Sequence, residues 1–326
     1  MSSFDHFFAQ LAIDAVRQAA VLCTRVRASL NSDGSLSKAD NSPVTIADYG
    51  SQAVILHLLA QGNPEIPVVA EEDANALRDP ANAPLATAVH QEVSRLLPDL
   101  DRDTILAAID RGNHTGGPAG TFWTLDPIDG TKGFLRNDQY AIALALIQDG
   151  RPVLGVLGCP QLPGDAGTGC VLAACRGQGA RQYSLAGDGF RPVRVSTTAS
   201  PDHACFCESV ESGHSRHDWS SLVAEKLGIT RSSVRMDSQC KYASIARGDA
   251  DIYLRLPTRP GYEEKIWDHA AGCLIVEEAG GIVTDITGRP LDFGAGRTLK
   301  HNRGVIATNG PWHTQVVEAV SATAPA

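Results

Sequence analysis

The nine residues Trp123-Thr-Leu-Asp126-Pro-Ile-Asp129-Gly-Thr131 constrain this chain more than any other stretch. Two carboxylates stand three apart across a proline, and a glycine and a hydroxyl follow at once. The apolar lead-in of Phe122, Trp123 and Leu125 predicts a strand that ends where the polar group begins. Pro127 cannot donate to a ladder and Gly130 permits a sharp turn, so Asp126, Asp129, the Ile128 carbonyl and the Thr131 hydroxyl can converge on one point. Hard oxygen donors without sulfur or imidazole suit Mg²⁺ or Mn²⁺. An Asp-Pro turn with an Asx cap accounts for the same residues as plain turn chemistry, and the nine residues alone do not separate the two.

Further carboxylates in matching settings favour the metal. Val68-Val-Ala-Glu71-Glu72-Asp73 is an apolar strand running into three acids, and Trp267-Asp268-His269 opens a helix. Acids gathered at the ends of separate apolar elements repel one another unless cations neutralise them.

A chain of 326 residues has room for about two domains with ample core. Its 43% hydrophobic and 20% charged residues are those of a globular enzyme. A net charge of −9 argues against nucleic-acid binding through a basic surface, but not against a small anionic substrate, because bound metals reverse the local field. No apolar run is expected to span a membrane, and Met1 to Gln10 lacks the basic start and apolar core of a signal or transit peptide. The eight cysteines have no metal-ligand spacing; Cys205 and Cys207 alternate along an expected strand as packed thiols. A reduced, cytoplasmic protein, monomeric and off the membrane, is the expectation.

Helical spacing of Leu11, Ala15, Ala19, Leu22 and Val26 predicts a helix over 7–30, followed by a polar loop over 31–42. Thr45-Ile-Ala-Asp48 has the form of a capping box opening a second helix through Leu59. Strands are expected over 66–70, 140–147 and 153–157, the last two joined by a turn at Asp149-Gly150. Pro160 to Gly169 has the weakest predicted structure and sets a domain boundary, 1–159 and 160–326. The second part alternates strands (171–174, 204–208, 251–256) with helices (219–227, 269–279) and carries a stop at Gly280-Gly281. In Asp251 to Leu256, Tyr253 and Arg255 face opposite to Ile252, Leu254 and Leu256.

Glu71, Asp126, Asp129 and Asp268 are therefore candidates to hold two or more Mg²⁺. Two-metal sites, with ions roughly 3.5–4 Å apart, grip the attacking and leaving oxygens of a phosphoryl displacement. Thr131 and Asp48 are candidates to orient and deprotonate the attacking water. Asp48 has an ordinary explanation too, since an acid in the first turn of a helix is favoured by the dipole.

With these motifs in order and spacing, the chain resembles the lithium-sensitive, metal-dependent phosphomonoesterase superfamily that includes inositol monophosphatase and fructose-1,6-bisphosphatase. The resemblance extends to the 3′(2′),5′-bisphosphate nucleotidase branch. It is carried by Ser42-Pro-Val-Thr-Ile-Ala-Asp48-Tyr, Gly120-Thr-Phe-Trp through Gly133-Phe-Leu-Arg136, Gly213-His214-Ser-Arg-His217-Asp218, Asp237-Ser238-Gln-Cys-Lys241-Tyr242 and Asp251-Ile-Tyr-Leu-Arg255-Leu-Pro257. It covers most of the chain apart from roughly residues 74–104 and 160–200. The resemblance implies an α+β plus α/β sandwich of the sugar-phosphatase type, with layers in the order αβαβα and the active site between two domains. It implies metal ligation by Glu71, Asp126, the Ile128 carbonyl, Asp129 and Asp268, with two or three Mg²⁺ per site and Mn²⁺ as a substitute. Asp48 and Thr131 become the water-activating pair, and Thr131, His214, Ser238, Lys241, Arg255 and Asp268 the substrate contacts.

The implied reaction is hydrolysis of the 3′-phosphate of adenosine 3′,5′-bisphosphate, a by-product of sulfate activation, to AMP and phosphate. 3′-Phosphoadenylyl sulfate is a further candidate substrate, and Li⁺ an implied inhibitor. Two alternatives stand beside it: an inositol phosphate phosphatase, which the metal motifs serve equally, and a catalytically silent nucleotide sensor. The silent reading is disfavoured because every ligating acid, Asp48 and Thr131 are present. A dinucleotide-binding dehydrogenase is excluded by the lack of a glycine-rich strand-to-helix turn; Gly177-Gln-Gly179 is too short.

Overall fold

A computed structural model of the chain describes residues 3–32, 42–165, 167–187, 189–210, 216–259 and 261–325. Among them are ten α-helices: α1 (Ser3–Ser32), α2 (Ser42–Gly62), α3 (Asn75–Arg78), α4 (Ala83–Ser94), α5 (Arg102–Asp110), α6 (Thr131–Arg136), α7 (His217–Leu227), α8 (Cys240–Ala246), α9 (Ala270–Glu278) and α10 (His313–Ala322). The first seven strands, β1 (Val68–Ala70), β2 (Thr121–Asp129), β3 (Ala141–Gln148), β4 (Arg151–Gly164), β5 (Gly167–Cys175), β6 (Ala180–Ser184) and β7 (Phe190–Val193), form one sheet in chain order. In it β1 runs parallel to β2 and the remaining pairs are antiparallel. The other five, β8 (Phe206–Glu208), β9 (Val234–Arg235), β10 (Ile252–Arg255), β11 (Ile282–Thr284) and β12 (Val305–Thr308), form a second sheet ordered β11-β12-β10-β8-β9.

Strand alternation sets the layers. In β3, Ile142, Leu144 and Leu146 join the core built with α1 and α2, whereas Ala141, Ala143, Ala145 and Ile147 face α8 and α9. The alanine face lets α9 lie close to the sheet. That same helix pair packs its other side on Tyr253, Val283, Val305 and Ala307 of the second sheet. Beyond it, Phe206, Ile252, Leu254 and Ile306 are covered by Trp219 and Val223 of α7 and Val316 and Val320 of α10. The order helix, sheet, helix, sheet, helix is the expected αβαβα sandwich.

Four details differ from the sequence reading. β2 does not stop at Asp126 but continues through Asp129, past Pro127. Helix α2 begins at Ser42, so Asp48 lies beyond its first turn, which holds no acid. Thr45-Ile-Ala-Asp48 is thus not a capping box, and the dipole no longer accounts for Asp48. The expected weak segment from Pro160 to Gly169 is instead strand over its described part, as β4 reaches Gly164 and β5 starts at Gly167, and the first sheet runs on to Val193. Finally, the segment His6–Ser29 of α1 is long and apolar enough to cross a membrane by length and composition. Here it is a core helix, with Ala12, Val16, Ala19 and Cys23 fully buried against α2 and the first sheet. The Asp149-Gly150 turn is present, with φ of 48° and 73° at the two positions. Most of the expected loop over 31–42 lies outside the described residues.

Candidate active site

The pairing of β2 with β3 explains how Asp126 and Asp129 come to share a site. Residues three apart on a regular strand point to opposite faces. Here Asp126 sits opposite Ala143 and Asp129 opposite Ala141, so β2 spends three steps where β3 spends two. The extra residue is a bulge, and it turns both carboxylates to one side. Gly130 follows with φ of 88°; a Cβ there would lie 2.9 Å from the Ser238 Cβ, so both the turn and the close approach call for glycine. Thr131 then opens α6.

Both carboxylates line a cavity of about 720 Å³ together with Asp48 from α2 and Glu71 and Glu72 from the end of β1. That end of β1 is held from two sides. Gln52 of α2 donates to the Glu72 carbonyl at 2.7 Å and accepts from the Glu72 N–H at 3.2 Å, while Arg297 donates to the Ala70 carbonyl. Asp268, from the turn ahead of α9, closes the acidic wall.

The acids are mutually unfavourable. Burial, then the charge of Glu72, pushes the Glu71 carboxyl up to about 7. Burial, then Asp129, pushes Asp268 to about 7 as well. Asp126 is raised well above the usual range by burial, then by Glu71, Asp129, Asp268 and Asp48. Asp48 is raised well above it by burial, then by Glu71 and Glu72. Asp129 is raised by burial, against the opposing pull of Lys241 and the Gln239 N–H. Such a set of oxygen donors fits a hard divalent cation, whose charge would make all of them stable as carboxylates.

The facing wall is cationic and aromatic. Lys241 of α8 is 3% exposed; its Nζ lies 5.3 Å from the centre of the Tyr253 ring and donates to the Met236 carbonyl at 3.5 Å. Arg255 of β10 donates from Nε to Glu264 at 3.1 Å. Burial opposes the Arg255 charge, but Glu264 and Tyr253 outweigh it and its pKa is raised. Arg259, 5.1 Å from the Tyr262 ring centre, and Tyr262 extend this wall. Ser238 supplies its left-handed backbone, φ 66°, and its hydroxyl accepts from the Cys240 N–H at 3.2 Å.

Glu264, Asp268 and His269 bring one ligand atom each within 4.8 Å of one another and could hold a single metal ion. Of these only Asp268 belongs to the repelled acids. Glu264 goes the other way, drawn down to about 2 because His269 and Arg255 outweigh its burial.

A family model described as the inositol monophosphatase family matches residues 5–324. The chain belongs to that family. A 3′(2′),5′-bisphosphate nucleotidase of Schizosaccharomyces pombe is 47% identical over 335 residues, covering 96% of this chain and 94% of the relative. One of Oryza sativa is 45% identical, covering 94% and 91%. Within the family the chain therefore groups with the 3′(2′),5′-bisphosphate nucleotidases. Among solved structures, an inositol monophosphatase from Anabaena (Nostoc) sp. PCC 7120 superposes with a TM-score of 0.65 at 21% identity, covering 98% of this chain and 97% of that one. A Thermotoga maritima IMPase gives 0.65 at 23% identity, covering 99% and 98%. These two bear on the fold.

The structure brings Asp48, Glu71, Asp126, Ile128, Asp129, Thr131, Ser238, Lys241, Arg255 and Asp268 to one cavity. His214 lies outside the described residues. Asp48 and Thr131 share the cavity, but no hydrogen bond joins them among the described residues. The sequence reading did not single out Glu264, His269, Gln239, Arg259 or Tyr262. Glu263-Glu264-Lys265 reads as a solvated charge run, although Glu264 stands one helical turn's spacing before Asp268. Gln239 gives no local signal, yet its amide donates to the Trp267 carbonyl at 2.8 Å and accepts from the Gly272 N–H at 3.0 Å, bracketing Asp268 from both sides.

Proposed function

We propose that the chain is a metal-dependent phosphomonoesterase that removes the 3′-phosphate of adenosine 3′,5′-bisphosphate, giving AMP and phosphate. The observation that carries this reading is a single cavity with an acidic wall facing a wall of Lys241, Arg255 and tyrosine rings. The identity to 3′(2′),5′-bisphosphate nucleotidases supports it along nearly the whole chain. Glu71, Asp126, the Ile128 carbonyl, Asp129 and Asp268 would hold Mg²⁺, two or three ions per site, with Mn²⁺ as a substitute. When bound, Mg²⁺ supplies positive charge that withdraws electrons from the phosphate and favours ionised water.

The remaining work falls to side chains of the chain. Lys241, whose pKa burial lowers against the pull of Asp129, and Arg255 present positive charge to phosphate oxygens, Arg255 with a planar fork already oriented. The Thr131 hydroxyl orients water and passes its proton toward Asp48, which needs a neighbouring cation to act as a carboxylate because its pKa is raised. Tyr253 and Tyr262 offer apolar surface to a nucleoside. His214, Ser238 and Thr131 complete the substrate contacts in this reading.

An inositol phosphate would find the same acids, so the cationic, aromatic wall has to discriminate. The test is phosphate release with Mg²⁺ from adenosine 3′,5′-bisphosphate beside inositol 1-phosphate and inositol 1,4-bisphosphate, with and without Li⁺. A strong, lithium-sensitive preference for the nucleotide is expected. Preference for an inositol phosphate would keep the acidic wall's role and overturn the nucleotide assignment.

A further inference from the structure

Glu264 is 6% exposed and both of its side-chain oxygens are engaged. Oε1 accepts from Arg255 Nε at 3.1 Å, and Oε2 faces His269 Nε2 at 3.4 Å. His269 is anchored behind by Tyr242, whose hydroxyl lies 2.8 Å from Nδ1. Tyr242 in turn packs edge-on against Tyr253, ring centres 5.0 Å apart. The backbone is fixed as well, since the Glu264 carbonyl accepts from the Leu299 N–H at 2.8 Å and the Ile266 N–H donates to the Arg297 carbonyl at 3.2 Å. The carboxylate is therefore the hub of a chain that runs from the arginine on β10 to the tyrosine on α8.

A metal ion held by Glu264 Oε2 and His269 Nε2 would have to break the contact between them and stand beside the Arg255 guanidinium already on Oε1, two like charges side by side in a partly dry site. Asp126 has the opposite character, since burial and then Glu71, Asp129, Asp268 and Asp48 all disfavour its charge. We infer that Glu264 is a positioning residue that orients Arg255 toward the substrate, with His269 bracing it, and not a metal ligand. This rests on the nucleotide-binding role given above to Arg255. An unrestrained arginine has several rotatable bonds, and locking Nε leaves the plane of the fork set before substrate arrives.

The test is kinetic, on the full-length enzyme with Mg²⁺. Glu264→Gln keeps the shape and removes the charge. It is expected to raise KM for adenosine 3′,5′-bisphosphate about tenfold with kcat changed less than about twofold, and to leave the Mg²⁺ activation midpoint in place. In the Arg255→Ala background the same substitution should have no further effect on KM, because the arginine through which it acts is gone. A shifted Mg²⁺ midpoint, or an effect on KM that persists in the Arg255→Ala background, would overturn the inference. If Glu264→Gln does not fold, Glu264→Asp gives the same reading: a raised nucleotide KM at an unchanged Mg²⁺ midpoint supports the role, and a shifted midpoint refutes it. Failure of the wild type on the nucleotide is a separate result, and it would refute the substrate assignment instead.

Discussion

Replacing Asp126 with asparagine should stabilise the metal-free protein while destroying its activity. Asp126 is 3% exposed, and Glu71, Asp129, Asp268 and Asp48 all raise its pKa after burial has done so. The amide is nearly the same shape. Its oxygen can still accept from the Ile128 N–H, now at 3.1 Å from Oδ1, and its NH₂ can donate to Glu71, with which Asp126 shares a hydrogen bond. No cavity is made and no partner is lost, so repulsion is the term that changes. At an effective dielectric constant of about 20, one like-charge neighbour a few ångströms away costs roughly 2–4 kcal/mol, and shared protons absorb part of it. About 1–3 kcal/mol should be recovered, which for a chain of this size is about 2–5 °C in Tm.

The sign with pH follows from the raised folded pKa. A carboxyl that titrates higher in the folded state contributes stability below its unfolded pKa and loses it as pH rises through the folded value. Glu71 and Asp268, at about 7, put this window between roughly pH 4 and 7 and upward for the more strongly raised Asp126. The advantage of Asp126→Asn should accordingly be small at pH 5 and largest at pH 8. Thermal denaturation in EDTA and in Mg²⁺ measures it. Mg²⁺ should raise the wild-type Tm more at pH 8 than at pH 6, and should raise the variant's less at either. Phosphate release should fall by about 100-fold or more, as expected when a charge at the reacting centre is removed. If the variant is less stable than wild type in EDTA at pH 8, the acids do not repel one another as described.

Two further outcomes test the frame around the site. Buried His313 lies 2.9 Å from the hydroxyls of both Thr284 and Thr308, and burial lowers its pKa from 6.5 to about 4. Stability present above pH 6.5 should be lost as pH falls toward 4, by about 3 kcal/mol, and His313→Gln should flatten that part of a Tm–pH curve. Gly272→Ala would set a Cβ 2.4–2.7 Å from the fully buried Tyr242 side chain, so α9 would have to move off α8. A loss of about 1–3 kcal/mol in urea unfolding is expected, net of the better helix propensity of alanine.

Several elements and the acidic half of the site could be read from residues whose signals are local, while the layered architecture and the cationic wall came from the family resemblance. Alternation placed β10, the Asp149-Gly150 turn placed β3 and β4 around it, and acids beside apolar runs marked Glu71, Asp126 and Asp268. What escaped depended on partners distant in sequence. Pro127 reads as a strand end, but the bulge lets β2 absorb it and continue pairing at Asp129. Pro160 and the glycines after it read as a break, yet β4 and β5 take them up across a register shift and go on pairing to Gly164 and Gly167. The start of α2 was misplaced because Thr45 and Asp48 mimic a cap, whereas the helix already exists one turn earlier. Glu264 and Gln239 make sense only once Arg255, His269, Trp267 and Gly272 are beside them.

The pair α8 and α9 is the shared filling of the sandwich, with one sheet on each side. Lys241 sits on α8 and Asp268 immediately ahead of α9, while Asp126 and Asp129 belong to the sheet that α9 presses on. A plane drawn between the two sheets cuts through this shared core, so parting one sheet from the other would expose its apolar side chains to water. Folding of that one core is therefore what brings the acidic and cationic walls to the same cavity.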